Sequence, residues 1–336
     1  MTPKSEKIQF VLSMDTEEEW DWDGPFPEQD ATVSNINELP AFHSFCQELG
    51  IRPTYFTDYA VVNNRCSIDI LKAIIAQSDC EIGAHLHPWV NPPFFGATGE
   101  RESHVVNLPI EQVRAKLENL MNTFKQVLGV EPAAFRSGRW GINGECLKLL
   151  LDCGMTIDSS VYPFFRNAYF NCESASVLPY WPDFDDTNRP SAQRDIIEMP
   201  VTAGFNWPWF QGLNRLHNLV ISPPFSWLRI NGVLWHLKLL RKIYLSPELH
   251  SSDEMISLVK VCLNSGYGLL HMNLHSSSLI EGVTGLTNVA NARENICARI
   301  GDVIDFLQRD YEVEFCTISE ARQLVDPETE NQPAPA

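Results

Sequence analysis

Nowhere does this sequence hold the roughly 18 consecutive apolar residues that a membrane-spanning helix needs, so an integral membrane protein of the helical kind is excluded. The first apolar stretch, Ile8 to Met14, is too short for the core of a secretory signal and runs directly into Asp15 and Glu17 to Glu19. The expected location is therefore cytoplasmic. Cations are scarce: Lys and Arg number 25 against 43 Asp and Glu, a net charge of −18. A nucleic-acid partner needs its phosphates neutralised by Lys and Arg, and is excluded on this balance. The nine cysteines include no Cys-x-x-Cys pair, and their odd number and wide spacing argue against a disulfide framework. Most are expected as small buried apolar residues. No internal repeat is visible.

What remains is an ordinary globular composition, 44% hydrophobic and 20% charged over 336 residues, enough to close one large core. Short β-rich apolar runs alternate with helical patterns, which is the signature of β/α units around a parallel sheet or barrel. The strand candidates are Ile8 to Met14, Arg52 to Thr57, Cys80 to His85, Ala133 to Arg136, Thr156 to Ser159, Ile196 to Met199, Tyr267 to Leu274 and Val313 to Cys316. Helical spacing of apolar residues marks Ile110 to Leu128, Glu145 to Cys153, Glu254 to Leu263 and Ala292 to Leu307. A single domain over residues 1–325 is expected, followed by a Pro- and acid-rich tail, 326–336, expected to be disordered. One segment stands apart. From Met199 to Pro247 there is no acidic residue, while Arg215, Arg229, Lys238, Arg241 and Lys242 accompany Trp207, Trp209, Trp227 and Trp235. On so acidic a chain that is a local inversion of charge, and it makes 199–247 a candidate insertion for peripheral membrane contact.

In barrels and open parallel sheets the loops leaving the carboxyl ends of strands build the site, and polar residues gather there in this chain. The first strand ends in Asp15, Thr16, Glu17, Glu18 and Glu19, a density of carboxylates that cannot be buried without a compensating cation or proton; a solvated acidic loop is the plainer alternative. The third ends in His85, Leu86, His87, Pro88 and Trp89. Residues i and i+2 of an extended segment share a face, so His85 and His87 can reach one metal ion, or can simply be two histidines in a polar turn. With a carboxylate from the first loop they would form a His₂-carboxylate set of the kind catalytic zinc sites use. The fourth strand ends in Arg136, Ser137, Gly138, Arg139 and Trp140, whose guanidinium groups suit carboxylates or a polar ligand, or surface salt bridges. The last apolar strand carries His271 and ends at His275, before Ser276 to Ser278. His275 is the better placed for proton transfer and His271 fits a core imidazole.

Taken in order, these strand ends resemble the motif series of the polysaccharide deacetylase family, the NodB-homology type of carbohydrate esterase, from about Ile8 to about Ile318. The resemblance implies a distorted (β/α) barrel and one divalent ion, zinc by default. It places Asp15 as general base, Arg136 as the residue orienting it, and His275 as catalytic acid. Glu17, His85 and His87 fall at the positions of metal ligands, and Arg139, Trp140 and Trp89 are expected to touch the substrate. The implied reaction removes an N-acetyl or other acyl group from a carbohydrate, lipid-linked if the basic aromatic segment serves it, in a subgroup tied to cell-surface glycans. The chain departs from the family pattern twice. It has Asp15, Thr16, Glu17 in place of Asp-Asp, and Trp89 where the second histidine usually falls, which leaves Glu18 and Asp58 as alternative ligands. The competing readings are another metal-dependent barrel amidohydrolase or phosphoesterase, and a glycan-binding relative without turnover.

Overall fold

A computed structural model describes residues 7–22, 24–28, 31–77, 79–223, 227, 230–285 and 290–325. The expected disordered tail, 326–336, lies outside them. The organising element is β1 (Lys7–Thr16), buried on both faces from Phe10 to its end, which is why its sequence reads as a nearly unbroken apolar run. Every strand of its sheet is parallel. Along one edge it pairs with β9 (Leu269–His275), from Gln9 opposite Leu269 to Asp15 opposite His275. The other edge is shared: β10 (Glu312–Phe315) takes its first half and β2 (Thr54–Thr57) its second. From β2 the sheet continues through β3 (Glu81–Leu86), β4 (Ala134–Ser137), β5 (Ile157–Asp158) and β6 (Ile197–Glu198).

The sheet curls into a half-barrel, and irregular chain spans the gap between β6 and β9. There Thr202 N–H donates to the His271 carbonyl at 2.9 Å, and Asn273 N–H to that of Leu245 at 3.1 Å. Helices link the strands: α1 (Leu39–Leu49), α2 (Tyr59–Val62), α3 (Arg65–Ile75), α4 (Ile110–Val127), α5 (Gly144–Asp152), α8 (Ser252–Asn264), α9 (Ala292–Asp310) and α10 (Ile318–Leu324). Their inward faces follow the spacing of three and four, as Val113, Leu117, Leu120 and Phe124 do on α4. Capping boxes, Ser251 with Glu254 and Thr317 with Glu320, fix where α8 and α10 begin.

All eight expected strands appear, with ends shifted by one or two residues. The sequence reading lacked α1, α3 and an antiparallel pair, β7 (Ala203–Phe205) with β8 (Lys242–Tyr244), which closes the base of an excursion carrying α6 (Phe210–Ile221) and α7 (Ile230–His236). All nine cysteines are free.

Parallel register carries the site. It sets Asp15 beside His275 and His85 beside Arg136 before any side chain is considered. Gly83 shows how closely the layer beneath is packed: a Cβ there would lie 2.5 Å from the ring of Phe56, and that ring supports the Arg136 guanidinium at 4.3 Å. Gly83→Ala should therefore cost about 1–3 kcal/mol through overpacking, read as a lower urea midpoint at unchanged slope. An unchanged midpoint would show that Phe56 yields freely.

Candidate active site

The carboxyl ends of β1, β3, β4 and β9 converge on a cavity of about 350 Å³ lined by Asp15, Glu17, His85, His87, Trp22, Arg139, Trp140, Tyr162, Glu248 and His275, among others. Its size is within the range of small-molecule sites.

Asp15 is 2% exposed and would be costly as an isolated charge. Burial pushes its pKa up, but the guanidinium of Arg136, with His275 beside it, outweighs that and holds the carboxyl below its ordinary value. Arg136 reaches Asp15 Oδ1 through Nη1 at 2.5 Å, and its other donors go to the Ser13 hydroxyl at 2.8 Å and to the hydroxyl and carbonyl of Ser159, each at 3.0 Å. Fully enclosed between Phe56 and Trp140, it is a fixed positive charge. His271 belongs to its support. Its Nδ1 donates to the Pro200 carbonyl at 3.2 Å and its Nε2 accepts from Ser13 at 2.8 Å, while burial and Arg136 lower its pKa to about 3.

His275 has the opposite surroundings. Its Nδ1 donates to Glu248 Oε1 at 2.7 Å, its backbone N–H donates to Oε2 at 3.1 Å, and its Nε2 lies 3.5 Å from Asp15 Oδ2. Burial alone would lower its pKa, but Glu248, Glu17 and Asp15 together raise it to about 10. His275 is thus an imidazolium at neutral pH. Trp22 meets its ring edge-on with centroids 4.7 Å apart.

His85 and His87 face each other. His85 Nδ1 donates to the Arg136 carbonyl at 2.9 Å, and His87 Nδ1 donates to both oxygens of Glu18 at 3.0 Å. Burial lowers the pKa of His87, so its ring is neutral. These partners fix both tautomers and leave two bare Nε2 lone pairs 3.0 Å apart, each 3.4 Å from Glu17 Oε2. Three acceptors that converge in a buried place repel one another unless a cation lies between them, so the donor set fits a divalent ion.

Two other groups have ligand atoms within 4.8 Å of one another, Asp15 with Glu17 and His275, and Glu18 with Asp58 and His87. Neither offers three free lone pairs. His275 is protonated, and His87 turns its N–H toward Glu18. Glu18 and Asp58 share a proton: burial and the nearby Glu17 charge raise Glu18 to about 7, burial and the Glu18 charge raise Asp58 well above its ordinary value, and Asp58 Oδ2 has no other donor. Of the alternative ligands, Glu18 therefore acts on the site through His87, with Asp58 behind it. Ser276, after β9, accepts from the Glu17 N–H at 3.1 Å and holds the acidic loop in place.

Arg139 and Trp140 reach the cavity from a strained turn, both with positive φ (61° and 62°). Trp140 stacks on Tyr162 at 4.5 Å, and Arg139 lies over Trp20 and bonds Glu100. Gly138 is glycine because His87 occupies its side-chain space, 2.2 Å from an added Cβ. Trp89 is a correction. Expected at the substrate, it is fully buried, stacks on His87 at 4.2 Å and donates to Glu18 at 2.5 Å, so it braces a histidine and does not line the cavity. Glu248 was missed. It lies in the loop after β8, and the faint signal for it is that it is the first acid after the acid-free segment.

No protein-family model and no curated protein sequence matches the chain. Solved structures do match in fold. A protein assigned as a polysaccharide deacetylase from Mycobacterium smegmatis superposes with a TM-score of 0.57 at 14% identity, over 100% of this chain and 95% of the other. One assigned as a glycoside hydrolase/deacetylase from Parabacteroides distasonis gives 0.59 at 12%, over 96% and 71%. One assigned as a polysaccharide deacetylase from Pseudomonas aeruginosa gives 0.52 at 13%, over 94% and 90%. The fold is that of the polysaccharide deacetylases. A PuuE allantoinase also superposes, at 0.50 and 13% identity over 96% and 91%, so the fold by itself does not name a substrate.

The purified chain should hold about one divalent ion by elemental analysis, and His87→Ala or Gly138→Ala should each lower that content at least about tenfold. Full retention by His87→Ala would show that His87 is not a ligand and that the third ligand must be sought in the loop after Met14.

Proposed function

We propose that this chain is a zinc-dependent hydrolase that removes an acyl group, N-acetyl by default, from an amide on a carbohydrate. The observation that carries the reading is the juxtaposition, in one cavity, of an ionised Asp15, a protonated His275 and three converging lone pairs on Glu17, His85 and His87. Zinc suits two imidazoles and one carboxylate with positions left open. Bound there, the ion would supply Lewis acidity, polarising the amide carbonyl and making a water more acidic.

The remaining steps belong to the protein. Asp15, kept ionised and oriented by Arg136, accepts the proton of the attacking water. The water oxygen bonds to the carbonyl carbon as the π pair moves onto oxygen. His275, 3.5 Å from Asp15, then gives its Nε2 proton to the amide nitrogen as the carbon–nitrogen bond breaks, releasing amine and carboxylic acid. Glu248 keeps the imidazolium charged and aimed. Trp22 and the Trp140–Tyr162 stack provide flat faces for a sugar ring, and Arg139 a donor for its hydroxyls.

The profile of kcat/KM against pH should be a bell. The acid limb belongs to Asp15 and lies below the ordinary carboxylate value; below it the base is protonated. The alkaline limb belongs to His275. It lies between the ordinary imidazole value of about 6.5 and the metal-free value of about 10, since a cation on Glu17 offsets one of the charges that raise it. Asp15→Asn should keep the metal and lose about 10² or more in turnover. His275→Ala should lose as much on the amide yet spare an activated ester, whose leaving group needs no proton. Equal losses on ester and amide would sink the acid assignment, and full activity on both after metal removal would sink the zinc reading.

A further inference from the structure

The excursion from β7 to β8 contributes no side chain to the proton transfers above, yet it holds nine of the twelve large hydrophobic side chains exposed among the described residues. Trp227 is 74% exposed, Trp209 71%, Leu237 62% and Leu219 53%. A helix that only covered a barrel would be apolar inward and polar outward. On α6, Phe210, Asn214 and Val220 are buried, but Leu216, Leu219 and Ile221 look into solvent; α7 has no fully buried residue and rests on the core through the partly buried Leu234. So many large apolar side chains exposed on one short excursion mark a docking site.

Charge identifies the occupant. The segment from Met199 to Pro247 has five cations and no acid within a chain of net charge −18, and Arg215 and Lys238 are exposed beside the apolar side chains. Tryptophans interleaved with Lys and Arg suit the boundary between acyl chains and anionic headgroups. No helix of the described residues is long and apolar enough to cross a membrane, so the contact is with the surface. A second copy of the chain fits poorly. Self-pairing would bring Arg215 and Lys238 toward their own copies, the acids that reach the excursion from elsewhere, Glu173 at Asn218 and Glu254 at Arg241, are already engaged within the chain, and Phe94, Phe95 and Leu249 are too few to cover the patch from another face.

The patch adjoins the cavity. Trp235 on α7 lies over His250 with ring centroids 6.0 Å apart, and Arg241 lies over Trp235 and reaches Glu254 at 3.3 Å. His250 is two residues from Glu248, which holds His275, and Leu249 between them lines the cavity while 39% exposed. We propose that the α6–α7 excursion docks on an anionic lipid surface and sets the mouth of the cavity against glycans anchored there. The second clause rests on the deacetylase reading; the docking does not.

The test is co-sedimentation of the full chain with vesicles of phosphatidylcholine, with and without phosphatidylglycerol, at low and physiological salt. The expected result is binding to the anionic vesicles that weakens as salt rises. Leu219→Glu and Leu237→Glu should each reduce it about tenfold or more, from the lost burial of one leucine. Because both side chains are exposed, thermal unfolding should not change. Phe94→Ser, in the separate exposed pair, should bind like the parent. Absence of binding at either salt overturns the docking, as does a lipid-free dimer that the same two substitutions dissolve. Vesicle binding without deacetylation of any carbohydrate would leave the docking standing and remove the glycan.

Discussion

The constraint on which the site depends is the charge of five carboxyls, those of Asp15, Glu17, Glu18, Asp58 and Glu248, each at most 5% exposed. Ionised and uncompensated, they could not be buried together. Arg136 answers Asp15, the His275 imidazolium answers Glu248, and a proton shared between Glu18 and Asp58 removes one further negative charge. What remains is one charge on the Glu18 and Asp58 pair and one on Glu17, two in all. A divalent ion among Glu17, His85 and His87, as proposed above, would cancel that remainder. The charge of the ion follows from the residues around it as much as its ligands do.

The same balance explains why the fold looks overbuilt beneath the site. Arg136 makes four hydrogen bonds to three residues and lies on two aromatic faces, far more than binding one aspartate requires. A buried guanidinium is tolerable only when its donors are satisfied, so Ser13, Ser159 and Phe56 are determined by Arg136, and Gly83 by Phe56. One charged side chain thereby reaches through two layers of the sheet into the choice of a glycine. The strained turn at Arg139 and Trp140 is a further cost, offset by stacking on Tyr162 and Trp20.

The strands and the residues at their ends were legible in the sequence because both are local. A parallel strand buried on two faces announces itself as an apolar run, and the polar residues that follow it mark the mouth of the barrel. Asp15, Glu17, His85, His87, Arg136 and His275 were all readable in this way. Glu248 was not, because its partner is 27 residues distant and the loop between β8 and α8 has no period. Nor was the pairing of Glu18 with Asp58, which depends on the register of β1 against β2. Trp89 was misread for a related reason: its place in the loop suggested exposure, whereas its indole fills the space behind His87 and satisfies a buried carboxylate. Helices α1 and α3, at 11 residues each, are longer than the 9-residue α5 that the apolar spacing did mark, so length does not account for their omission.

The two proton-transfer roles proposed for Asp15 and His275 would be separated by their neighbours rather than by residue type. Asp15 and His275 sit 3.5 Å apart and would, if they shared one environment, exchange a proton and lose their distinction. Arg136 stabilises the carboxylate from one side and Glu248 stabilises the imidazolium from the other, so the proton rests on His275 over the whole range between the two pKa values. Each supporting charge is thereby needed for the role of the other partner as well as its own: without Glu248 the imidazolium would be weaker, and Asp15 would lose one of the charges that keep it ionised. The proposed base and acid are thus properties of a four-residue row, Arg136, Asp15, His275 and Glu248, whose charges alternate in sign from the fully buried guanidinium out to the cavity.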